Sequence, residues 1–233
     1  MANAQVLTPA TYAFIGMNLL VFALMAMADV AALAGDVTRL HVRLGLGRDI
    51  LQYGVQLQDG NQIIEYGAHQ WYRLVTSGFI HFGVFHILMN MLLLYQLGMM
   101  LERAIGSVRF SLLYVASLLA GGLGVLLLDS GGLSGGASGA VFGLMAGAAI
   151  GMQRRGVNVW STGIGTTLLL NLVLTFTIPG ISIGGHVGGA IGGAVCGWVM
   201  LSPPWKRVPG WAMWATPVAV ACISLAGAFV LAG

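Results

Sequence analysis

Seven apolar runs divide the chain, and most of them are close to the length that crosses a lipid bilayer. A helix needs about 20 consecutive apolar residues to span the hydrocarbon core. Between most of the runs lie short polar connections, as in a polytopic helical bundle. The pattern therefore predicts an all-α membrane protein that forms a single domain over residues 1–233, with transmembrane helices near 12–34, 79–101, 110–128, 137–152, 160–178, 183–201 and 211–231.

The amino-acid composition excludes a water-soluble fold. Hydrophobic residues make up 58% of the chain and charged residues only 7%, whereas a soluble domain carries about 25% charged residues. The 36 glycines follow no collagen-like period, so in an apolar chain they indicate helices whose backbones pack closely. The net charge of +3 is small and spread out, and without a basic cluster we expect no nucleic-acid partner.

Positively charged residues mark alternate connections between the runs. They follow the second, fourth and sixth runs and are missing after the third and fifth, which by the positive-inside rule puts the N-terminus in the cytoplasm and the C-terminus outside. The long connection 35–77 is the exception, because it is predicted to lie outside and carries four arginines. This connection has room for an interfacial helix or a hairpin. The residues that follow the rule are Arg103, Arg109, Arg154, Arg155, Lys206 and Arg207.

A serine and a histidine stand in glycine-lined stretches at bilayer depth. A nucleophile and a base are costly to keep there, so by default they mark a functional site. At 1.5 Å per residue, Ser138 lies roughly 24 Å from the cytoplasmic end of its run, and His186 lies roughly 30 Å from the end of its own. His86 and Asn90, which share one helical face, lie roughly 24 and 18 Å from theirs. Four polar residues on three runs are therefore expected in the outer half of the bilayer.

Glycines recur at every fourth position below both Ser138 and His186. These stripes predict that the fourth and sixth helices pack backbone to backbone, which brings His186 within hydrogen-bond reach of the Ser138 hydroxyl, as general-base activation requires. The glycine-rich run 130–136 is expected to dip into the membrane beside water, which hydrolysis needs. We therefore predict a polar cavity that opens to the outer face, with Ser138 at its floor. The stripes are Gly139, Gly143 and Gly147, and Gly189, Gly193 and Gly197.

Five short motifs occur in order along the chain before the end of the sixth run. They are Trp71-Tyr72-Arg73; His81-Phe-Gly-Val-Phe-His86-Ile-Leu-Met-Asn90; Gly98-x-x-x-Glu102-x-x-x-Gly106; Gly136-Ala-Ser138-Gly139; and His186-x-x-Gly189-x-x-x-Gly193. A lone Gly-x-Ser-Gly is a weak signal, but the ordered set closely resembles the rhomboid family of intramembrane serine proteases. The resemblance implies a six-helix rhomboid core over about 12–201 and one extra C-terminal transmembrane helix at about 211–231.

The resemblance also implies a role for each residue of the site. Ser138 is the nucleophile, and His186 is the general base and then the general acid of a catalytic dyad. His86 and Asn90, together with the Ser138 backbone N–H, stabilise the oxyanion. The family cleaves transmembrane segments of other membrane proteins near their outer end. The expected partners are therefore transmembrane protein substrates and the lipid bilayer, and no cofactor or metal is implied.

Two further expectations come from the same resemblance. The fifth run and the loop 179–184 form the gate through which substrate and water enter. At Phe142 family members often carry a tyrosine beneath the catalytic histidine, and a phenyl ring there keeps the stacking but loses the hydroxyl. The expected location is a cell membrane, and more narrowly a bacterial inner membrane, because no organellar targeting segment is visible.

Other intramembrane hydrolases do not match the sequence. No histidine is followed directly by glutamate, as a zinc protease requires, and no paired aspartyl motif occurs. Nothing in the sequence places Asp29 or Asp129 beside His186, so a dyad is favoured over a triad. Two alternatives stay open: a non-proteolytic rhomboid-like protein that binds transmembrane helices, and a small transporter with broken helices around a midplane site.

Overall fold

Within the part of the chain that the structure describes, seven helices of 14 to 22 residues form where the apolar runs predict them. The computed structural model describes residues 7–59, 62–129 and 131–233. The first six residues and Ser130, the first residue of the glycine-rich run, therefore lie outside the described part. Within it the elements are α1 Pro9–Ala28, α2 Arg39–Leu44, α3 Arg48–Tyr53, β1 Val55–Asp59, β2 Gln62–Tyr66, α4 Arg73–Thr76, α5 Val84–Ile105, α6 Ser107–Leu128, α7 Ser138–Arg154, α8 Ile164–Thr177, α9 Ile183–Met200 and α10 Ala212–Ala232.

Helices α1, α5, α6, α9 and α10 are long and apolar enough to cross a membrane. The other two predicted spans are shorter, with 17 residues in α7 and 14 in α8. The predicted polytopic helical bundle is confirmed. The first span differs in length, because α1 ends at Ala28 rather than at residue 34. There the Asp29 carboxylate accepts the Ala31 N–H, which starts a short 3₁₀ helix at Val30–Leu33.

The long connection between α1 and α5 contains both short helices and a hairpin. Strands β1 and β2 pair antiparallel, beginning with Val55 opposite Tyr66. Arg73 of α4 is fully buried, and its Nη1 donates to the carbonyls of Val42 at 2.6 Å and Gly45 at 2.7 Å. A buried charge is tolerated only when it is well hydrogen-bonded. Arg73 therefore attaches α4 to the segment around α2 and makes the connection part of the fold.

Helices α6, α7 and α9 meet through glycines at the centre of the bundle. A Cβ atom added at Gly147 would lie 2.9 Å from the Gly193 carbonyl oxygen, and one at Gly139 would lie 3.1 Å from that of Gly185. On α6, a Cβ atom at Gly121 would lie 2.9 Å from the same Gly185 oxygen. The predicted backbone-to-backbone packing of α7 and α9 is confirmed, and α6 joins it.

Contacts between helix ends show which ends share a side of the bundle. They join the start of α1 to the end of α5, the start of α6 to the start of α10, and the end of α7 to the segment after α9. Since α5, α7 and α9 all end on this side, their first turns lie together at the opposite end. The contacts are Thr11 Oγ1 to Glu102 at 2.6 Å, the Arg109 guanidinium over the Trp214 ring at 5.4 Å, and Arg154 Nη2 to Ser202 Oγ at 3.1 Å.

Candidate active site

Ser138 is the first residue of α7, where the glycine-rich segment becomes helical. The backbone N–H groups of the two residues before it both donate hydrogen bonds. The Gly136 N–H donates to the Ser77 carbonyl at 2.8 Å, and the Ala137 N–H donates to Nε2 of His81 at 3.4 Å. The Ser138 N–H itself has no acceptor within its helix, because it belongs to the first turn. Ser138 therefore presents a hydroxyl and a backbone N–H at the same end of α7.

His186 lies on the first turn of α9 and is only 8% exposed. Its imidazole stacks on the phenyl ring of Phe142, with ring centroids 4.1 Å apart and an angle of 17° between the planes. Phe142 follows Ser138 by one turn of α7, so the two residues share a helix face. The stack brings the imidazole against the first turn of the helix that begins with the serine.

The hydrogen bond expected between Ser138 and His186 is not made. Among the described residues, the imidazole is bonded through Nδ1 to the Thr175 hydroxyl of α8 at 2.7 Å, and not to the serine. That His186 comes within reach of the Ser138 hydroxyl therefore stays a prediction. The stripes determine how closely the backbones of α7 and α9 approach, whereas the side-chain rotamers determine which partner the imidazole takes. Catalytic hydrogen bonds are often long until substrate is bound.

His86, on the first turn of α5, brings a ring N–H to the space beside Ser138. Its Nδ1 accepts the Phe82 N–H at 3.4 Å. A neutral imidazole has one donor and one acceptor nitrogen, so Nε2 carries the proton. A Cβ atom at Gly136 would lie 2.8 Å from this Nε2 and 3.7 Å from the Ser138 Oγ. The missing side chain of Gly136 therefore leaves a gap between a ring N–H donor and the serine hydroxyl.

Asn90 lies one turn further along α5 and is 5% exposed. Its Nδ2 donates to the backbone carbonyl of His86 at 3.0 Å. The amide group has a second N–H that this bond does not use. The structure therefore brings His86 next to Ser138 and attaches Asn90 to its own helix, and the role of Asn90 at an oxyanion stays a prediction.

The start of α9 is capped by a residue from another helix end. Asp129, directly after α6, accepts the Ser182 hydroxyl at 2.6 Å and the Gly184 N–H at 2.8 Å. Ser182 in turn accepts the Gly185 N–H at 2.8 Å. Acceptors at a helix N-terminus satisfy its free N–H groups, and a carboxylate there also interacts favourably with the helix dipole. Asp129 therefore holds the turn that carries His186 and is bonded to that turn's backbone rather than to the imidazole.

The parts played by Asp129 and Thr175 were not predicted from the sequence. A threonine within an apolar run carries no signal of its own, since its hydroxyl commonly bonds the preceding turn of the same helix. Asp129 had a weak signal, because it directly follows an apolar run. Its partner Ser182 lies more than fifty residues further along the chain, and only the fold brings the two together.

A small recess lies beside Ser138. Its volume is about 30 Å³, and Ser77, Gly136 and Gly185 are among the residues that line it. This volume admits a water molecule but not a peptide segment, so the recess is narrower than the cavity predicted from the glycine-rich run. In the part of the chain that the structure describes, no group of three or more His, Cys, Asp or Glu side chains could hold a metal ion.

Comparison with known protein families adds a match that covers the site. The model of the Rhomboid domain matches residues 68–203, which is more than half of the chain. The chain belongs to the rhomboid family. The matched part of this rhomboid runs from α4 to α9 and includes Ser138, His186 and His86, while α1 and α10 lie outside it.

Relatives of this rhomboid occur in plants, bacteria and fungi. RHOMBOID-like protein 4 of Arabidopsis thaliana is 35% identical over 145 residues, which cover 59% of this chain and 36% of that protein. Rhomboid protease GluP of Bacillus subtilis (strain 168) is 32% identical over 120 residues, 50% of this chain and 24% of that protein. Rhomboid-type serine protease 2 of Emericella nidulans is 40% identical over 78 residues, 33% of this chain and 16% of that protein. The chain therefore spans at most 36% of the length of these relatives.

Proposed function

We propose that this rhomboid is an intramembrane serine endopeptidase that cleaves transmembrane segments of other membrane proteins. Its membership in a family with relatives named as proteases, one of them as a serine protease, supports this class of reaction. In the proposed mechanism Ser138 attacks the scissile carbonyl, and His186 accepts the hydroxyl proton and later passes it to the leaving amine. Water then hydrolyses the acyl-enzyme, with His186 again acting as the base.

The observation that best supports this assignment is the stacking of His186 on Phe142. It holds the imidazole against the first turn of α7, where the Ser138 hydroxyl is located. Because the backbones of α7 and α9 are already in contact, we propose that rotation of the Ser138 side chain brings its hydroxyl within hydrogen-bond distance of the imidazole.

The oxyanion is proposed to form in the gap beside Gly136. There the Nε2–H of His86 and the N–H of Ser138 are donors from two different helices, and the second N–H of Asn90 is the third proposed donor. Fixed donors of this kind stabilise the negative charge that develops on the carbonyl oxygen, and the loss of one typically costs about 10²–10³ in rate.

We propose that residues 1–233 form a single domain in a cell membrane, with the N-terminus in the cytoplasm and the active site opening outward. α10 packs on the matched region, since a Cβ atom at Gly227 would lie 3.0 Å from the Leu123 side chain of α6. The positive charges of Arg109 and Arg154 lie at the end of the bundle away from Ser138, which supports this orientation. A bacterial inner membrane is the proposed location.

Two assays in detergent or proteoliposomes test the proposal. The first is labelling by a fluorophosphonate probe, which reacts with activated serines. The second is cleavage of a panel of tagged single-span proteins. We expect Ser138→Ala to abolish both and His186→Ala to reduce both to background. Ser134→Ala is the matched control, because Ser134 lies only four residues before Ser138 and is held through its backbone, which pairs with Leu46. This variant should behave as wild type.

Labelling that persists in Ser138→Ala would overturn the assignment of the nucleophile. Single-span proteins could instead co-purify with the wild type without being cut, and Ser138→Ala could leave their amounts unchanged. In that case the non-proteolytic helix-binding alternative replaces the protease.

A further inference from the structure

Thr175 of α8 makes two hydrogen-bond contacts through a single hydroxyl group. Its Oγ1 lies 2.7 Å from the backbone carbonyl of Asn171, one turn earlier in α8. The same oxygen lies 2.7 Å from Nδ1 of His186. Both distances are within the ordinary range of hydrogen bonds that involve a hydroxyl group.

The single proton of the Thr175 hydroxyl determines which atom donates in each of the two contacts. A threonine hydroxyl has one proton to donate, and a carbonyl oxygen can only accept. If both contacts are hydrogen bonds, the hydroxyl donates to Asn171 and must accept from His186. Nδ1 of the imidazole then carries the proton, and Nε2 keeps its lone pair. Nε2 lies across the ring from Nδ1, so it faces away from α8.

Thr175 is buried at the point where α8 reaches His186. α8 lies entirely within the described residues, and only Gly165 and Thr175 of it are buried. Thr175 is 2% exposed, although it stands near the end of a helix with many exposed apolar side chains. Its burial coincides with the contact to His186.

We propose that Thr175 is a positioning residue that holds His186 in the Nδ1–H tautomer, in which Nε2 is the base available to Ser138. This proposal rests on the proposed protease function. A neutral hydroxyl performs here the orienting task that a carboxylate performs in a Ser-His-Asp triad. It also makes the reactive state of the histidine depend on the position of α8, a helix that carries neither member of the dyad.

Three variants of α8 test the effect on turnover. Thr175→Val keeps the shape of the side chain and removes the hydroxyl, and Thr175→Ser restores it. The matched control is Thr177→Val, because the exposed Thr177 makes the same bond to the preceding turn, at 2.8 Å from the Val173 carbonyl, without reaching the histidine. A wrong histidine tautomer costs a Ser-His-Asp protease about 10⁴-fold in kcat. For a neutral partner we expect Thr175→Val to lose roughly 10- to 100-fold in kcat, with KM nearly unchanged. Thr175→Ser and Thr177→Val should stay close to wild type.

A spectroscopic measurement tests the tautomer without any turnover. In protein labelled with ¹⁵N-histidine on the Ser138→Ala background, we expect His186 Nδ1 to be protonated and Nε2 unprotonated. With five histidines in the chain, the signals of His186 are assigned by their loss in His186→Ala. Adding Thr175→Val should shift the population toward Nε2–H.

The outcomes separate the two proposals. An Nε2–H tautomer in the starting protein, or a tautomer unaffected by Thr175→Val, overturns the role of Thr175 whether or not the protein is a protease. In an active protease, full activity of Thr175→Val overturns it as well. If Ser138-dependent labelling and cleavage are missing while the Nδ1–H tautomer depends on Thr175, the proposed function fails and the hydrogen bond is upheld.

Discussion

The phenyl ring of Phe142 and the imidazole of His186 are stacked face to face, 4.1 Å apart and 17° from parallel. The phenyl ring therefore keeps the stacking that was expected at this position. Aromatic pairs contribute about 0.5–1.5 kcal/mol beyond the burial of their surface, which corresponds to about 2- to 12-fold in a rate. We expect Phe142→Leu to lower kcat within that range and Phe142→Tyr to retain it, in a cleavage assay with reconstituted protein. Equal rates for all three proteins would mean that stacking does not orient the base.

Gly136 is expected to be indispensable for the space beside the serine. Its φ of +132° disfavours any side chain, and a Cβ atom would lie 2.8 Å from the His86 ring. Displacement of His86 would remove a proposed oxyanion donor, so we expect Gly136→Ala to lower kcat by about 10²-fold or more.

The control for this variant is Gly132→Ala. Gly132 has a similar φ of +117°, and no atom of the described residues lies within 4 Å of its Cβ position. Both variants bear the backbone strain, about 1–2 kcal/mol, and should lose similar thermal stability in detergent. Only Gly136→Ala should lose turnover. A comparable loss of turnover in Gly132→Ala would assign the effect to backbone strain.

Asp129 is expected to contribute to stability and to the placement of His186. Hydrogen bonds to a charged group contribute about 1.5–3 kcal/mol, so Asp129→Ala should lower the free energy of unfolding by an amount of this order. Asp36→Ala is the control, because Asp36 is an exposed carboxylate and makes no side-chain hydrogen bond among the described residues. Thermal unfolding followed by circular dichroism measures both. If the two variants are equally stable, the cap contributes nothing measurable.

His41 makes the stability of the long connection sensitive to acid. Its Nδ1 accepts the Thr38 N–H at 3.1 Å, and its Nε2 lies 3.0 Å from the His81 carbonyl. Burial lowers the pKa of His41 below its usual 6.5, although the bond to His81 and the charge of Asp29 partly oppose this. Below pH 6.5 the unfolded chain therefore binds a proton that the folded chain still excludes. Stability is full above pH 6.5 and falls as the pH drops from there toward the lower folded pKa.

Thermal unfolding at pH 7.5 and pH 5.5 tests this sign. Wild type should lose more stability between the two conditions than His41→Gln. Other titrating groups contribute to both proteins, so the difference isolates His41. His69→Gln, which replaces an exposed histidine, should retain the full wild-type loss. A larger loss in His41→Gln than in wild type would contradict the predicted direction.

The positions of the helices were largely predictable because a helix in a bilayer follows local rules. Its length follows from the hydrocarbon thickness, and its rise per residue converts sequence separation into depth. For this reason Ser138, His186 and His86 were expected at one end of the bundle, and they are found there. The contact of α7 with α9 was predictable for a similar reason, since glycines at every fourth position have no side chains that would keep the two backbones apart.

The side-chain partners were not predictable in the same way. The imidazole of His186 was expected on Ser138 and is found on Thr175, because its rotamer depends on Phe142, α8 and α9 together. Asp129 was weighed only as a third catalytic group, although its carboxylate is bonded to the backbone at the start of α9.

The sequence by itself determined that the chain forms a seven-helix membrane bundle, and it determined the end of the bundle at which the polar residues lie. Both follow from hydrophobic length and helical rise, which are properties of each segment separately. The folded bundle specified which side chain each polar group contacts. Such contacts join segments far apart in the chain, and their geometry depends on the packing of several helices at once.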